Sequence, residues 1–443
     1  MKSSFVVAGL VIGIPVAHAL VNFDSSELDL TNTAGITYDS NLSGGPKGKE
    51  DTFVNYSPRL DFIRKAGLIE LQSNLGVNFT RYFDQTNLDA QDVNAGLRLN
   101  LAEAIRGAFT GSVDLSYIET ATVLEEVNTR VHSDTLSFGA SGQALLGRRI
   151  TLTAGANYSN ARRSGGSNSD SVGANVGWAL SDFLRGTSLH LNYVYNYTHS
   201  DAGPFSPISV DQSSHQITTG LSRLLFPNGQ TTISADFGYR FLDRSDAERK
   251  AGLTGDGGYV FNVGISGPFL PRDRFPNLKS SLALSYSQSA TPGLNDDNTR
   301  GLQGSVGLDW KARERTNLGV SAHQSRSLTV SNLTATSSGV DFHVDQTFWF
   351  NVTANAGVGY TWSTYKSPQV TVAPGSSVGT FYTTSVLGQA RSDEALSFTT
   401  GLTYAFARVW NAALRYEYRA VFSSLGAGDY DHHVVNLNVS CRF

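Results

Sequence analysis

A strict alternation of apolar and polar residues constrains the fold of this chain more than any other feature. In the stretch 69–80, every apolar side chain lies at an odd position, and every even position is polar or glycine. The pattern recurs at 189–198, 350–362 and 414–419. Successive side chains of a β-strand point to opposite faces, so each stretch predicts a strand with one apolar and one polar face. No helical period of comparable length occurs, and the chain is therefore predicted to be all-β.

The number of alternating stretches and the connections between them favour a barrel. About twenty stretches lie between residues 28 and 443, with 18–22 as the range that the uncertain boundaries allow. Alternate connections are short, and the intervening ones are mostly longer and polar. The short ones are 64–67, 146–149, 226–229 and 407–409; the longer ones are 40–51, 119–129, 160–169, 200–212, 244–256 and 366–390. Short turns at one end and long loops at the other are typical of a transmembrane antiparallel up-and-down β-barrel.

Composition excludes several other classes of protein. Only 16% of the 443 residues are charged, against about 25% in average soluble proteins. The longest stretch without charged or strongly polar residues, 5–17, is shorter than the ~20 residues of a membrane-spanning helix. With 34 basic against 38 acidic residues, we expect no nucleic-acid partner. A single cysteine cannot form an intramolecular disulfide.

The N-terminus has the pattern of a secretory signal peptide. Lys2 precedes an apolar stretch at 5–16, and Ala17 and Ala19 stand at the positions of an A-x-A cleavage site. We therefore predict a signal peptide at 1–19 and a single barrel domain at 20–443. The expected location is the outer membrane of a Gram-negative bacterium, in contact with its lipid and lipopolysaccharide.

The last alternating stretch ends on an aromatic residue at the terminal carboxylate. Val435, Leu437, Val439 and Phe443 share one parity with Cys441, so this face is apolar. The stretch resembles the C-terminal recognition sequence that delivers outer-membrane barrels to the β-barrel assembly machinery. That resemblance implies the assembly machinery as a partner. By its parity, Cys441 is expected to face lipid as a small apolar residue.

The beginning of the predicted barrel carries a second resemblance. The residues from Ile36 to Leu42 read Ile-Thr-Tyr-Asp-Ser-Asn-Leu and close the first predicted strand. With about twenty strands and a start soon after the signal peptide, the chain resembles the bacterial outer-membrane β-barrel porins that are often encoded beside exopolysaccharide genes. The resemblance implies a connection with polysaccharide. Because the first strand is predicted about ten residues after Leu20, we expect no plug domain ahead of the barrel.

The polar faces indicate what such a barrel would conduct. The residues predicted to face the lumen include charges of both signs: Glu70, Arg98, Asp114, Asp236, Arg240, Arg415, Glu417 and Arg419. Side chains alone fill only barrels of about eight strands. The sequence thus favours a diffusion or export channel for polar solutes, among which saccharides are one class. The alternative is a non-channel scaffold or polysaccharide-binding surface protein. A monomer is preferred, and a trimer is compatible with the sequence.

Candidate metal and catalytic groups are few. Asp341, His343 and Asp345 share one face of a strand and could offer ligands to a metal ion, although pairing of Asp345 with Arg313 or Arg315 is the favoured alternative. In the stretch 431–433, alternation sends the two adjacent histidines to opposite faces. The stretch 295–298 could chelate Ca²⁺ but is more typical of a polar loop tip. No motif of an outer-membrane hydrolase is evident, so we expect neither enzymatic activity nor a cofactor.

Overall fold

Twenty long strands form one antiparallel sheet in the computed structural model. The described residues are 21–23, 25–42, 48–101, 109–124, 129–164, 168–201, 209–225, 231–244, 257–268, 277–288, 300–328, 334–366, 391–407, 409–424 and 428–443. Within these ranges no helix is long and apolar enough to cross a membrane. A short strand β1 (Val21–Phe23) pairs with the start of β2. The predicted signal peptide and its cleavage positions lie outside the described residues.

The bounds of the long strands are as follows. They are β2 (Ser26–Asp39), β3 (Asp51–Ala66), β4 (Ile69–Tyr82), β5 (Ala90–Leu101), β6 (Phe109–Leu124), β7 (Thr129–Leu146), β8 (Ile150–Arg163), β9 (Ser169–Leu184), β10 (Thr187–Ser200), β11 (Val210–Leu224), β12 (Thr232–Arg244), β13 (Gly257–Gly267), β14 (Leu278–Gln288), β15 (Arg300–Arg313), β16 (Thr316–Leu328), β17 (Thr334–Thr347), β18 (Val352–Lys366), β19 (Arg391–Phe406), β20 (Trp410–Ser423) and β21 (Tyr430–Arg442).

The sheet closes on itself because the last strand pairs with the first long one. Each strand from β2 to β21 pairs with its neighbours in sequence, and β21 pairs with β2 from Thr31↔Arg442 to Asp39↔Val434. Two main-chain hydrogen bonds between Leu30 and Phe443, of 3.0 and 2.9 Å, extend this seam. The prediction of an all-β, closed antiparallel barrel of about twenty strands is confirmed. Closure leaves none of the long strands with an unpaired edge.

The apolar faces of neighbouring strands line up as continuous outward rows. Leu402, Leu414 and Leu437 lie directly opposite one another on β19, β20 and β21. They are 50%, 45% and 45% exposed, so the protein itself does not bury them. In a transmembrane barrel the outward face is apolar and lies against lipid, whereas the inward face is polar. The side chains at the alternate positions, such as Arg415 next to Leu414 on β20, therefore face the lumen.

The two ends of the barrel differ in their connections. At the end where β2 begins and β21 terminates, which we call the turn end, the connections 67–68, 185–186 and 314–315 are tight. Gly67 and Gly186 have φ of 60° and 70°, which suits glycine in such turns. At the other end, which we call the loop end, 40–50 and 201–209 are longer. The predicted alternation of short and long connections holds for these segments.

Two predicted boundaries are wrong, and two predicted connections lie outside the described residues. The predicted loop 119–129 is mostly strand, because β6 continues to Leu124 and β7 begins at Thr129. The predicted tight turn 226–229 lies outside the described residues. Phe350 continues the alternation but lies in a turn, since it has a φ of 64° and β18 begins only at Val352. The predicted loop 366–390 follows the end of β18, and residues 367–390 lie outside the described part of the chain.

Candidate functional site in the barrel lumen

The lumen wall is formed by the strand positions that alternate with the lipid-facing rows. The structure places all eight residues predicted for the lumen on this polar parity: Glu70, Arg98, Asp114, Asp236, Arg240, Arg415, Glu417 and Arg419. They are spread over β4, β5, β6, β12 and β20. They therefore belong to a wall that surrounds the lumen rather than to one compact site.

The charged groups on this wall are held against neighbouring polar groups. Arg98 on β5 forms an ion pair with its cross-strand partner Asp114 on β6. On β20, Arg415 Nε lies 2.7 Å from Glu417 Oε1. Arg240 donates to Gln216 Oε1 through Nε at 3.0 Å and through Nη2 at 2.7 Å. The two ion pairs leave little net charge on β5, β6 and this part of β20, whereas the neutral amide of Gln216 positions Arg240 without cancelling its charge.

Histidines form a second set of contacts on the lumen wall: the sequence places His190 on the polar face of the stretch 189–198, whereas it assigns His323 to no face. His190 Nε2 lies 2.7 Å from Asp236 Oδ1, and His323 Nδ1 lies 3.5 Å from Asp341 Oδ2. His323 has the same parity as Asn317 and Ser321 on β16, and this is the signal that would have placed it on the lumen wall. Each imidazole is thus placed beside a carboxylate on the wall.

A concavity of about 1060 Å³ indents the wall near the turn end of β13 to β17. Its charged lining consists of Lys279, Asp309, Lys311, His343 and Asp345. Lys279 is the cross-strand partner of Asp309, and His343 Nε2 lies 3.9 Å from Asp309 Oδ1. Two acidic and two basic side chains therefore lie around this concavity together with His343, so its charges nearly balance.

A second concavity of about 650 Å³ lies against β3 to β6 and the end of β21. Arg59, Asp61, Arg98, Asp114 and Arg442 contribute its charged groups. Arg59 Nη2 lies 2.7 Å from Asp61 Oδ1, so the pattern of paired charges recurs here. In strand order the two concavities lie on roughly opposite sides of the barrel.

The structure divides the three metal candidates between different partners. Asp341 is nearest to His323 on β16, whereas His343 reaches towards Asp309 on β15. Asp345 lies opposite Asn317 in the register, so the expected pairing with Arg313 or Arg315 is wrong. The described ranges contain no group of three histidine, cysteine or acidic side chains placed to hold a metal ion.

The other candidates lie near the loop end. His432 Nε2 lies 2.8 Å from Asp39 Oδ1, and His433 Nδ1 lies 3.0 Å from the hydroxyl of Tyr416. Because Tyr416 belongs to the outward row and Asp39 to the opposite parity, the two imidazoles point to opposite faces. They do not form a joint site. The acidic stretch 295–298 lies outside the described residues.

The residues of the predicted assembly signal lie along the seam of the barrel. Val435, Leu437 and Val439 alternate on the outward face of β21, in register with β2 and β20. Cys441 continues the same row but is buried. The Phe443 ring is only 5% exposed and meets Trp410 edge to face, with ring centroids 6.5 Å apart. The C-terminal aromatic residue therefore packs at the closure point.

Comparisons with known proteins agree with this architecture. Residues 272–443 match the family model of the outer membrane protein beta-barrel domain. No curated protein matches the chain. The chain is similar in fold to the FrpB iron transporter of Neisseria meningitidis (TM-score 0.58, 10% identity, covering 94% of this chain and 81% of that one). It is also similar to the siderophore receptor PirA of Pseudomonas aeruginosa (TM-score 0.53, 10% identity, covering 94% and 80%).

These likenesses cover nearly all of the barrel, but at such low identity they concern the fold alone. The family match covers the strands from β14 to β21. Together with the closed sheet and its outward apolar rows, it establishes that this chain is a β-barrel protein of the outer membrane of a Gram-negative bacterium.

Proposed function

We propose that the protein is a channel through which polar solutes cross the outer membrane by diffusion or export, with saccharides as the favoured class. The observation that carries this proposal is the wall itself. Several of its charged groups are neutralised by cross-strand or near neighbours, as in Arg98 with Asp114 and Arg415 with Glu417. Amides and hydroxyls, such as Asn436 donating to Thr37, occupy much of the rest.

The size of the barrel supports a water-filled lumen. Twenty strands spaced ~4.8 Å apart and tilted by ~40° enclose a cylinder of about 20 Å radius at the backbone. Wall side chains cannot fill such a width. Every strand in the described ranges belongs to the wall, so we propose an interior without a plug domain.

The chemistry of the wall favours neutral polyhydroxylated solutes over ions of one sign. A ladder of cations would favour anions, whereas alternating paired charges offer hydrogen bonds without a strong net field. The two fold relatives named above are an iron transporter and a siderophore receptor. Their names agree with transport as a use of this architecture. The class of solute proposed here is inferred only from the residues that line the wall of this chain.

Reconstitution into lipid bilayers tests the proposal. Purified barrel should give stepwise conductance in planar membranes, and liposomes containing it should swell in isotonic mono- and oligosaccharides. A second form, with residues 367–390 replaced by a short Gly-Ser linker, removes the longest connection. If neither form conducts or admits sugars, the channel proposal is wrong and the non-channel scaffold is favoured. That scaffold would be recognised by polysaccharide retention that depends on the loops.

A further inference from the structure

Glycines on the lumen wall lie opposite long polar side chains in a recurring arrangement. On β4 and β5, Asn74 pairs with Gly96, and Gly76 pairs with Asn94. Asparagine and glycine therefore alternate both along each strand and across the strand pair. A Cβ atom at Gly96 would lie 2.5 Å from Asn74 Oδ1, and one at Gly76 would lie 2.7 Å from Asn94 Oδ1. Each asparagine therefore occupies the space that a side chain on the facing residue would need.

The same checkerboard appears on two other strand pairs. On β8 and β9, Gly155 faces Asn175 and Asn157 faces Gly173, and a Cβ atom at Gly155 would lie 2.6 Å from Asn175 Oδ1. On β16 and β17, the larger side chains are histidines. His343 lies over Gly319, and His323 Cε1 lies 2.7 Å from the Cβ position of Gly339.

Two further glycines each accommodate side chains from both neighbouring strands. Gly220 on β11 lies between His190 on β10 and Asp236 on β12, and both side chains reach its Cβ position. Gly35 on β2 lies in the same way between Asn55 and Asn438. In both cases the polar ends meet above the glycine and lie along the wall.

The physical reason is the missing Cβ atom. Where the facing residue has a side chain, a long polar group must turn towards the lumen, but above a glycine it can lie flat across the neighbouring strand. The oxygen atoms then approach the glycine Cα hydrogens, a weak contact that recurs between strands. Outward glycines differ: Gly142 faces the Phe109 ring and Gly304 faces Leu284. The arrangement with polar side chains belongs to the lumen.

We propose that these lumen glycines determine the solute-size limit of the channel by holding polar side chains flat against its wall. The proposal rests on the channel function given above and adds residues that set its bore. The six positions to be tested are Gly35, Gly76, Gly96, Gly155, Gly173 and Gly319; Gly220 is left out because an added Cβ atom there would also lie 2.7 Å from the main-chain oxygen of Ala235. Alanine at these positions displaces the flexible ends of side chains, so the barrel can accommodate the change while the displaced groups turn into the lumen.

Gly139 provides a matched control. It lies on the lumen parity of β7, and its nearest neighbour, Asp114 Cβ, would be 3.9 Å from an added Cβ atom. Gly139→Ala thus adds the same methyl group without displacing a neighbour. Heat-modifiable migration in gels verifies that each variant has folded into a barrel.

The first test compares conductance and the size limit for saccharides. The variant with alanine at all six positions should conduct roughly 1.3-fold less than the unchanged barrel, since each raised side chain intrudes a few ångströms into a lumen of about 20 Å radius. It should also exclude the largest sugars that the unchanged barrel admits. Gly139→Ala should change neither property. A conducting, folded six-position variant with an unaltered size limit overturns the proposal.

A rescue and a coupling measurement complete the test. Adding Asn74→Ala, Asn94→Ala, Asn157→Ala and Asn175→Ala removes four of the displaced side chains and should restore most of the lost conductance. Gly96→Ala and Asn74→Ala should also be non-additive in unfolding by urea, because the two positions are in contact. If the two substitutions change the free energy of unfolding additively, the contact between Asn74 and Gly96 is contradicted, whether or not the variants conduct. If the unchanged barrel does not conduct, both the channel function and the proposed size limit are wrong. The non-additivity of Gly96→Ala and Asn74→Ala would still show whether the asparagine lies over the glycine.

Discussion

His190 Nε2 lies 2.7 Å from Asp236 Oδ1 although a whole strand separates the two residues. The residue between them on β11 is Gly220, and it leaves room for the imidazole and the carboxylate to meet above it. Polar contacts on the lumen wall therefore extend beyond adjacent strands. This explains how a polar inner face with charges of both signs can be locally neutral.

Removing one partner of a lumen ion pair should change the ion selectivity of the channel. Arg98→Gln leaves Asp114 without its cation, so the channel should become more cation-selective, and Asp114→Asn should shift it towards anions. Reversal potentials across a KCl gradient measure both shifts. The double variant should return close to the original selectivity, and a shift of the same sign in both single variants would contradict the pairing.

Charge on the two faces of β20 should have unequal effects on stability. Leu414 belongs to the outward row, whereas its neighbour Ala413 has lumen parity. Leu414→Arg should lower the free energy of unfolding by about 2–4 kcal/mol if it lies near the bilayer midplane, because the guanidinium would face lipid. Ala413→Arg should cost much less, since its charge reaches water. Urea unfolding in lipid vesicles gives both values, and equal losses would be incompatible with the assignment of the faces.

Gly238 should tolerate substitution less well than the glycines opposite asparagine. An added Cβ atom would collide with the main-chain oxygen of Ile217 and lie 2.9 Å from Thr218 Cα. Backbone atoms cannot turn away as a side-chain amide can, so Gly238→Ala should destabilise the barrel by about 1–3 kcal/mol. Gly139→Ala is the control with open space. A Gly238→Ala barrel as stable as that control would show that the strand can shift at no cost.

Phe443 should matter for the formation of the barrel. Its ring is buried beside Trp410, and its main chain bonds to Leu30 at the seam. Phe443→Ala should reduce the amount of folded barrel in the outer membrane, because it weakens closure and removes the terminal aromatic residue. Immunoblots of outer-membrane fractions with heat-modifiable migration measure this. Phe422→Ala, at the loop end of β20 and 54% exposed, should leave the yield unchanged.

Much of the barrel wall follows from local pattern, but the ends of its strands do not. Phe350 continues the alternation of β18, yet it turns the chain together with Trp349, and the side chains of Trp349 and Phe350 are 75% and 87% exposed. Alternation reports side-chain polarity and carries no information about φ. The hydrogen-bonded ladder of β6 likewise continues beyond Glu119, towards the loop end, where no lipid-facing row is required.

The candidate site divides in a similar way. The parity of Arg98, Asp114 and Arg415 could be read from the sequence, because a period of two is a property of each strand by itself. Which of these polar side chains contact one another could not be read from the sequence. Asp341, His343 and Asp345 share a face, but the register of β15 to β17 directs Asp341 to His323 and His343 to Asp309.

The sequence alone determined the all-β class, a count of about twenty strands and the two faces of those strands, since these depend only on alternation and on the spacing of turns. Tertiary structure decided the closure of β21 on β2, the contacts across Gly220 and the two concavities of the wall. These features depend on register. Register is fixed jointly by turn lengths, irregularities such as the shift near Lys311, and the need for every strand in a ring to pair on both sides.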